Sequence, residues 1–356
     1  PLIRGGFVYR ADDPEVASGQ ASAGQPRPPK TWEEMSRKRL HAMGTVEADG
    51  LVRLDSFVRR MAVNEHVAED APIDLHAAGV RAGDVFALVT GVNVFRGRVA
   101  SVESADRFYI DLDREQVQGL TEVPLAFRGQ VEVKIYDQDG YVNRLTRFDP
   151  ETGQITEAAF IPMFGNSWLV MYGWLNGGDF MSRDGEKCTM DEMQIVQALQ
   201  WLVDVYDSMG GIEQAMKFQI SAASGGLDPF VSGKVAMRID TSGLNMAIIA
   251  FKPDLQFGLV AAPIPEKRLA EGYGSFGWGG GFAYAIPSTA KEKEGGWELI
   301  RWLSSEEANQ IYCQAQAAIY RSRGQPYFPL LHPDRRVMNW ISETYINKNP
   351  ELSPYI

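Results

Sequence analysis

The sequence predicts an α/β fold, a mixed sheet alternating with helices, interrupted by a β-rich insertion. Short apolar or β-branched runs at 234–240, 256–261 and 282–286 are separated by stretches of helical period. Helical period is clearest over 191–209, where Met193, Val196, Leu199, Leu202, Val203 and Tyr206 fall on one face. Residues 84–103, 108–112 and 130–136 are instead rich in β-branched and aromatic side chains and partly alternate, the signature of strands. The 356 residues give length for about two domains.

Taken in order, residues 11–30, rich in Pro, Gly, Ala, Ser and Gln, read as a linker. Thr31 is placed to N-cap a helix over 32–43, with Glu33 and Glu34 in its first turn and Arg37, Lys38 and Arg39 further along, favourable for the helix dipole. A helix around 54–66 leads into the strands of roughly 80–137, and Asp139-Gly140 is a hairpin-turn signal. Turns at Asp137–Gly140 and Asp149–Gly153 are each followed by a short strand. The helix over 191–209 stops at Gly210-Gly211.

The densest stretch is Trp278–Ser305. A glycine-rich turn (Gly277, Gly279, Gly280, Gly281) carries one aromatic, Trp278, and feeds a strand over 282–286 that Pro287 stops. An amphipathic helix follows over 294–304, with Trp297, Ile300, Trp302 and Leu303 as its apolar positions, and a further helix over 305–316 has Ser305 as its N-cap. Glycine without Cβ lets backbone approach a packed element or a ligand, and a projecting aromatic suits stacking on a flat, weakly polar surface such as a sugar ring.

Composition excludes several classes. Hydrophobic residues at 45% and charged residues at 23% are ordinary for a soluble globular chain. A net charge of −11 and pI near 5.0 argue against nucleic acid, whose phosphates need clustered Lys and Arg. Cys188 and Cys313 stand far apart with no metal-type spacing; they suit either a minor disulfide or two buried thiols. His41, His66, His76 and His332 are scattered, with no HExxH and no Ser/His/Asp arrangement, so neither a metal nor a cofactor is indicated. The Gly277–Gly281 run lacks the Lys-Ser/Thr of a phosphate loop. No apolar run approaches the ~18 residues of a membrane span. A glycoside hydrolase needs two carboxylates held about 5–10 Å apart, and no short motif singles out such a pair.

Four segments in order, together with Trp278–Ser305, resemble the family 1 extracellular solute-binding proteins of bacterial ABC importers, the group that includes maltose-binding protein. They are Pro28-Pro29-Lys30-Thr31-Trp32-Glu33-Glu34; Ala159–Pro162 through Gly173-Trp174-Leu175-Asn176-Gly177-Gly178-Asp179-Phe180; Phe230–Asp240; and Lys252–Gly258 with Ala262–Pro265. The resemblance implies a periplasmic-binding-protein-like type II fold of two lobes. On that pattern residues 1–27 end the first-lobe segment and its linker, and 28–262 form the second lobe with the insertion at about 44–137. Residues 263–315 then return to the first lobe, and 316–356 are a helical segment packing on the second. It also implies an export signal and an earlier part of the first lobe, so the first lobe is expected to be incomplete here, as a fragment or a reduced relative.

The function implied is non-catalytic: capture of a carbohydrate-like solute, a sugar or oligosaccharide, between lobes that close by hinge bending, and delivery to the transmembrane permease subunits. The resemblance further implies a monomer in the periplasm or outside the cell, tethered as a lipoprotein in some relatives. Carried over position by position, the ligand-binding candidates are Trp174 and Asn176; Asp240, Ser242 and Asn245; Trp278, Gly279 and Gly280; and Arg321. For Trp174, helix packing and stacking on ligand stay open. Trp201, Trp297 and Trp302 lie on helical faces and read as core, and Trp168 suits either. Where relatives place an aromatic after the 234–240 strand, this chain has Asp240-Thr241-Ser242-Gly243, which removes one stacking platform. The alternatives are a carbohydrate-active enzyme, and a scaffold or sensor that binds a partner through the 44–137 insertion.

Overall fold

Thr31 caps the first helix, α1 (Trp32–Met35), accepting from the Glu34 amide, but the helix stops after one turn, short of the expected 43. Ser36 is extended, and the chain becomes a strand, β2 (Lys38–Val46). The reason lies in the alternation that follows: Leu40, Ala42 and Val46 are buried on one side while the residues between them are only partly covered. Pairing on both edges of β2 outweighs the helix-favouring charge pattern.

The computed structural model describes residues 6–10 (backbone), 28–57, 72–112, 122–224, 226–275, 283–332 and 334–348. Two compact units are present: Tyr9–Ile239 with Pro263–Ser275, and Pro1–Val8 with Asp240–Ala262 and Phe276–Ile356. The first strand, β1, is Gly6–Arg10.

In the first of these units, β2 joins β3 (Leu51–Phe57), β4 (Val85–Thr90), β5 (Asn93–Ser104), β6 (Arg107–Asp111) and β7 (Gly129–Tyr136). These six antiparallel strands close into a barrel in the order β2-β3-β6-β5-β4-β7. Residues 51–57 are therefore strand where a helix beginning near 54 was expected; the rest of that span lies outside the described residues. The barrel interior is filled by Leu40, Val52, Leu54, Phe86, Leu88, Phe95, Val99, Phe108, Val131, Val133 and Ile135, so it is a packed core and not a channel. On the outer side of β4 and β7, Val85, Ala87 and Tyr136 are buried as well, with Val89 and Val94 against them.

After β7, Asp137–Gly140 does not make a hairpin. It leads into α2 (Tyr141–Leu145), with Gly140 at its N-cap and the Asn143 amide donating to the Asp137 carbonyl. β8 (Arg147–Phe148) pairs antiparallel with β9 (Ile155–Gly165) across the Asp149–Gly153 turn, and β9 pairs in parallel with β10 (Val235–Asp240). Between β9 and β10 come α3 (Leu169–Leu175), α4 (Met193–Ser208) and α5 (Ile212–Ala223). Gly210 and Gly211, both at positive φ, end α4 and turn the chain into α5. The buried stripe of α4 is Ile195, Ala198, Leu202, Val205 and Tyr206; Leu199 and Val203, expected inside, are exposed. Trp201 is partly buried, stacked on Trp32 with ring centroids 4.7 Å apart, and the Trp32 indole donates to the Pro263 carbonyl at 2.9 Å.

In the other unit, α6 (Gly243–Phe251) and β11 (Phe257–Val260) follow β10. The short α7 (Glu266–Ala270) belongs to the barrel-containing unit. Residues 283–286 have no regular structure, where the end of a strand was expected. Helix α8 (Lys293–Leu303) leaves Trp297 and Trp302 58% and 47% exposed, so neither is a core residue of this chain. Ser305 caps α9 (Glu306–Ser322) as expected, accepting from the Ala308 amide. Helix α10 (Arg335–Ile341) packs Val337 and Ile341 against Cys313 of α9, with Tyr327, Met338, Trp340 and Tyr345 around them. Both cysteines are free, Cys188 exposed and Cys313 buried.

Candidate functional site

In the barrel-containing unit, the candidates Trp174 and Asn176 sit where α3 ends. Trp174 is partly buried and meets the Phe180 ring edge-on, with centroids 6.2 Å apart. Asn176 is the C-cap of α3, and its buried amide donates to the Gln194 carbonyl (2.8 Å) and to Gln197 Oε1 (3.1 Å), which ties the turn to α4. Gly177 follows at φ 83, a left-handed position that suits glycine. A Cβ there would lie 2.7 Å from the Arg268 guanidinium.

That arginine is a feature the sequence reading missed. The Arg268 guanidinium carbon lies 3.6 Å from the Tyr273 ring centroid, so the cation is held between the Gly177 backbone and an aromatic face. Among the described residues its Nε is buried without a hydrogen-bond partner. Tyr273 is half exposed. The glycine pair at 177–178 was the only local signal; Arg268 lies far away in sequence, and only folding brings it there.

In the other unit, Asp240, Ser242 and Asn245 fall together at the junction of β10 and α6. Asp240 is buried, and its carboxylate accepts from the Thr241 amide at 2.7 Å. Ser242 occupies the N-cap of α6 in helical conformation with no side-chain cap bond, and Asn245 is buried in the first turn. Arg321 is exposed in the last turn of α9, where a cation complements the helix dipole. Its charge also reaches Tyr345, whose hydroxyl is pushed up mainly by burial and pulled back by Arg321. Trp278, Gly279 and Gly280 lie outside the described residues.

Among the described residues no three His, Cys, Asp or Glu side chains are placed to hold a metal ion. No described helix is long and apolar enough to cross a membrane.

A buried charge cluster of the barrel-containing unit lies elsewhere, between the barrel and α4. Lys134 Nζ is 2.5 Å from Asp207 Oδ2 and 3.6 Å from both Asp204 Oδ1 and Glu132 Oε1. Lys38 Nζ reaches Asp204 Oδ2 at 2.8 Å, and His41 Nε2 meets Glu132 Oε1 at 2.5 Å. Burial opposes the charge on Lys134, but the carboxylates around it outweigh that and hold the ammonium above its ordinary value. Glu132 is held below the usual glutamate value, chiefly by the His41 hydrogen bond, against the effect of burial.

Residues 101–310, more than half of the chain, match the family described as bacterial extracellular solute-binding protein. Solved structures resemble it weakly. CpMnBP1 with mannobiose bound is 20% identical with a TM-score of 0.37, the match covering 61% of this chain and 60% of that one. An ABC transporter solute-binding protein from Thermotoga lettingae TMO bound with alpha-D-tagatose is 18% identical, with a TM-score of 0.34 and coverage of 52% and 42%. A cyclic alpha-maltosyl-1,6-maltose binding protein from Arthrobacter globiformis is 20% identical, with a TM-score of 0.28 and coverage of 52% and 41%. The chain thus spans 60% or less of the length of these proteins. No curated protein matches it. On the family match, which runs from within β5 to within α9, the chain belongs to the bacterial extracellular solute-binding proteins.

Proposed function

We propose that this protein is the substrate-binding component of an ABC importer, which captures a carbohydrate-like solute between two lobes and hands it to a membrane permease. The family match over 101–310 is the observation that carries the reading. The family is one of binding proteins and not of enzymes, and its extracellular character supports a periplasmic or extracellular site of action.

The chemistry of the candidates fits a sugar. Trp174 offers a partly buried aromatic face, and Tyr273 a half-exposed one backed by Arg268. Asp240, Ser242 and Asn245 group a carboxylate, a hydroxyl and an amide at one strand end, the partner set that sugar hydroxyls need. A ligand that touches both lobes favours the closed state by its differential affinity, and this is the mechanism we assign. We also propose that the first lobe is incomplete in this chain. In support, α8 and α9 leave Trp297, Leu299, Trp302, Ile311 and Tyr312 about half exposed, an apolar surface of the kind that packs against further polypeptide.

Isothermal titration calorimetry against a panel of mono- and oligosaccharides tests both parts. The protein as isolated from its native source is expected to bind at least one sugar with micromolar or tighter affinity, and this chain alone at least about tenfold more weakly, ~1.4 kcal/mol. Absence of sugar binding by the native protein overturns the function. Binding by this chain as tight as that of the native protein overturns the incomplete lobe and leaves the function standing.

A further inference from the structure

The barrel is inserted through two adjacent crossings, residues 36–37 and 137–140. At this neck the Asp137 amide donates to the Arg37 carbonyl, and Gly140 packs against the Met35 carbonyl. A domain carried on so narrow a neck swings unless something else holds it. Here the holding contact is made by α4, about 60–70 residues further along the chain.

Three observations place it there. Every second residue of β4 (Phe86, Leu88) faces the barrel core, yet the intervening Val85 and Ala87 are also fully buried, on the side where α4 packs. On β7, the outward-facing Lys134 and Tyr136 both reach α4. Lys134 pairs with Asp207 and Asp204, and the Tyr136 hydroxyl donates to Asp204 Oδ1 at 3.4 Å. On β5, buried Arg96 donates from Nε to the Ser208 carbonyl at 2.5 Å, and Val94 closes on Gly211 at the end of the helix.

Lys134 is 4% exposed and each of its two aspartate partners 9%, so these charges have no alternative solvation by water. Removing the ammonium takes the cation away from Asp207 and leaves Asp204 with Lys38, so a buried carboxylate at the interface loses its compensation and water entry becomes favourable. The apolar contacts bring the surfaces together, and the charges decide whether the contact stays closed.

We propose that a buried charge clasp centred on Lys134 locks the barrel to α4, making it a fixed arm of its unit and not a module that swings on its neck. If this protein closes over a ligand as proposed above, the barrel moves rigidly with the part that carries α4.

Distances between spin labels test this. Labels are attached at Glu103→Cys on β5 and Glu157→Cys on β9, both exposed positions, in a Cys188→Ser background with Cys313 left buried. With Lys134 intact, a single narrow distance distribution is expected. Lys134→Met is expected to broaden it while far-UV circular dichroism is retained. The Asp204→Asn/Asp207→Asn pair, which leaves the ammonium with Glu132 at 3.6 Å in place of its two aspartates on α4, serves as the second variant and is expected to broaden it too. A broad or multimodal distribution with Lys134 intact overturns the proposal without any clasp variant folding, and so does a distribution left narrow by either substitution.

Discussion

Gly97→Ala is the substitution whose cost the barrel geometry defines most directly. Gly97 of β5 is the cross-strand partner of Phe86 on β4. A Cβ built at Gly97 falls 2.7 Å from Cε1 and Cζ of the Phe86 ring, closer than side-chain carbons approach. The ring covers the glycine, an aromatic–glycine pairing that pins register in curved sheets. Nor can the ring step aside. Phe86 is fully buried, its centroid is 5.9 Å from that of Phe95, and Phe95 is in turn 5.6 Å from Phe127.

Two effects oppose each other. Alanine restricts the unfolded chain and so favours folding by about 0.4–1 kcal/mol. Overpacking a filled core costs about 1–3 kcal/mol. The second is the larger, and a net destabilisation of up to about 2.6 kcal/mol is expected. Urea denaturation followed by circular dichroism reads this as a lower midpoint with unchanged slope, since the surface exposed on unfolding does not change. In the Phe86→Leu background the ring is gone, and the added methyl group should cost little or be favourable. The two substitutions should therefore couple by about 0.5–3 kcal/mol. A higher midpoint for Gly97→Ala in the otherwise unchanged protein would refute the reasoning, because it would mean that the ring yields.

Two further outcomes follow from the same geometry. Glu132 sits below its ordinary value of 4.5 because His41 donates to its carboxylate, so it contributes stability that is complete above 4.5 and is lost as pH falls through the lower folded value. Thermal melts across acid pH should show Glu132→Gln losing that part of the acid dependence; an identical dependence in both proteins would refute it. Asn176→Ala removes two hydrogen bonds that tie a buried turn to α4, each worth about 0.5–1.5 kcal/mol net, which should lower stability by about 1–3 kcal/mol in denaturant titrations, and a change under 0.5 kcal/mol would count against its anchoring role.

The sequence by itself showed an α/β chain interrupted by a β-rich insertion, because hydrophobic period is local information. Val131, Val133 and Ile135 alternate with Glu132, Lys134 and Tyr136 whatever the rest of the chain does. Ser305 above Glu306 and Glu307 announced its helix equally well, since a cap is satisfied within one turn. The strand at 38–46 escaped because its local charges favour helix while its decisive partners are β3 and β7, the latter about ninety residues away. The exposed faces of Trp297 and Trp302 could not be foreseen either, because an apolar stripe states that burial is favourable but not whether this chain supplies the covering surface. At the site, the sequence singled out Trp174 and Asn176 but not Arg268 under the turn, and it held the barrel clasp only as unconnected acids and bases. Which charge meets which is decided by tertiary structure, because the Coulomb energy of a pair depends on its separation and on the water excluded around it, and neither is set until the barrel lies against α4.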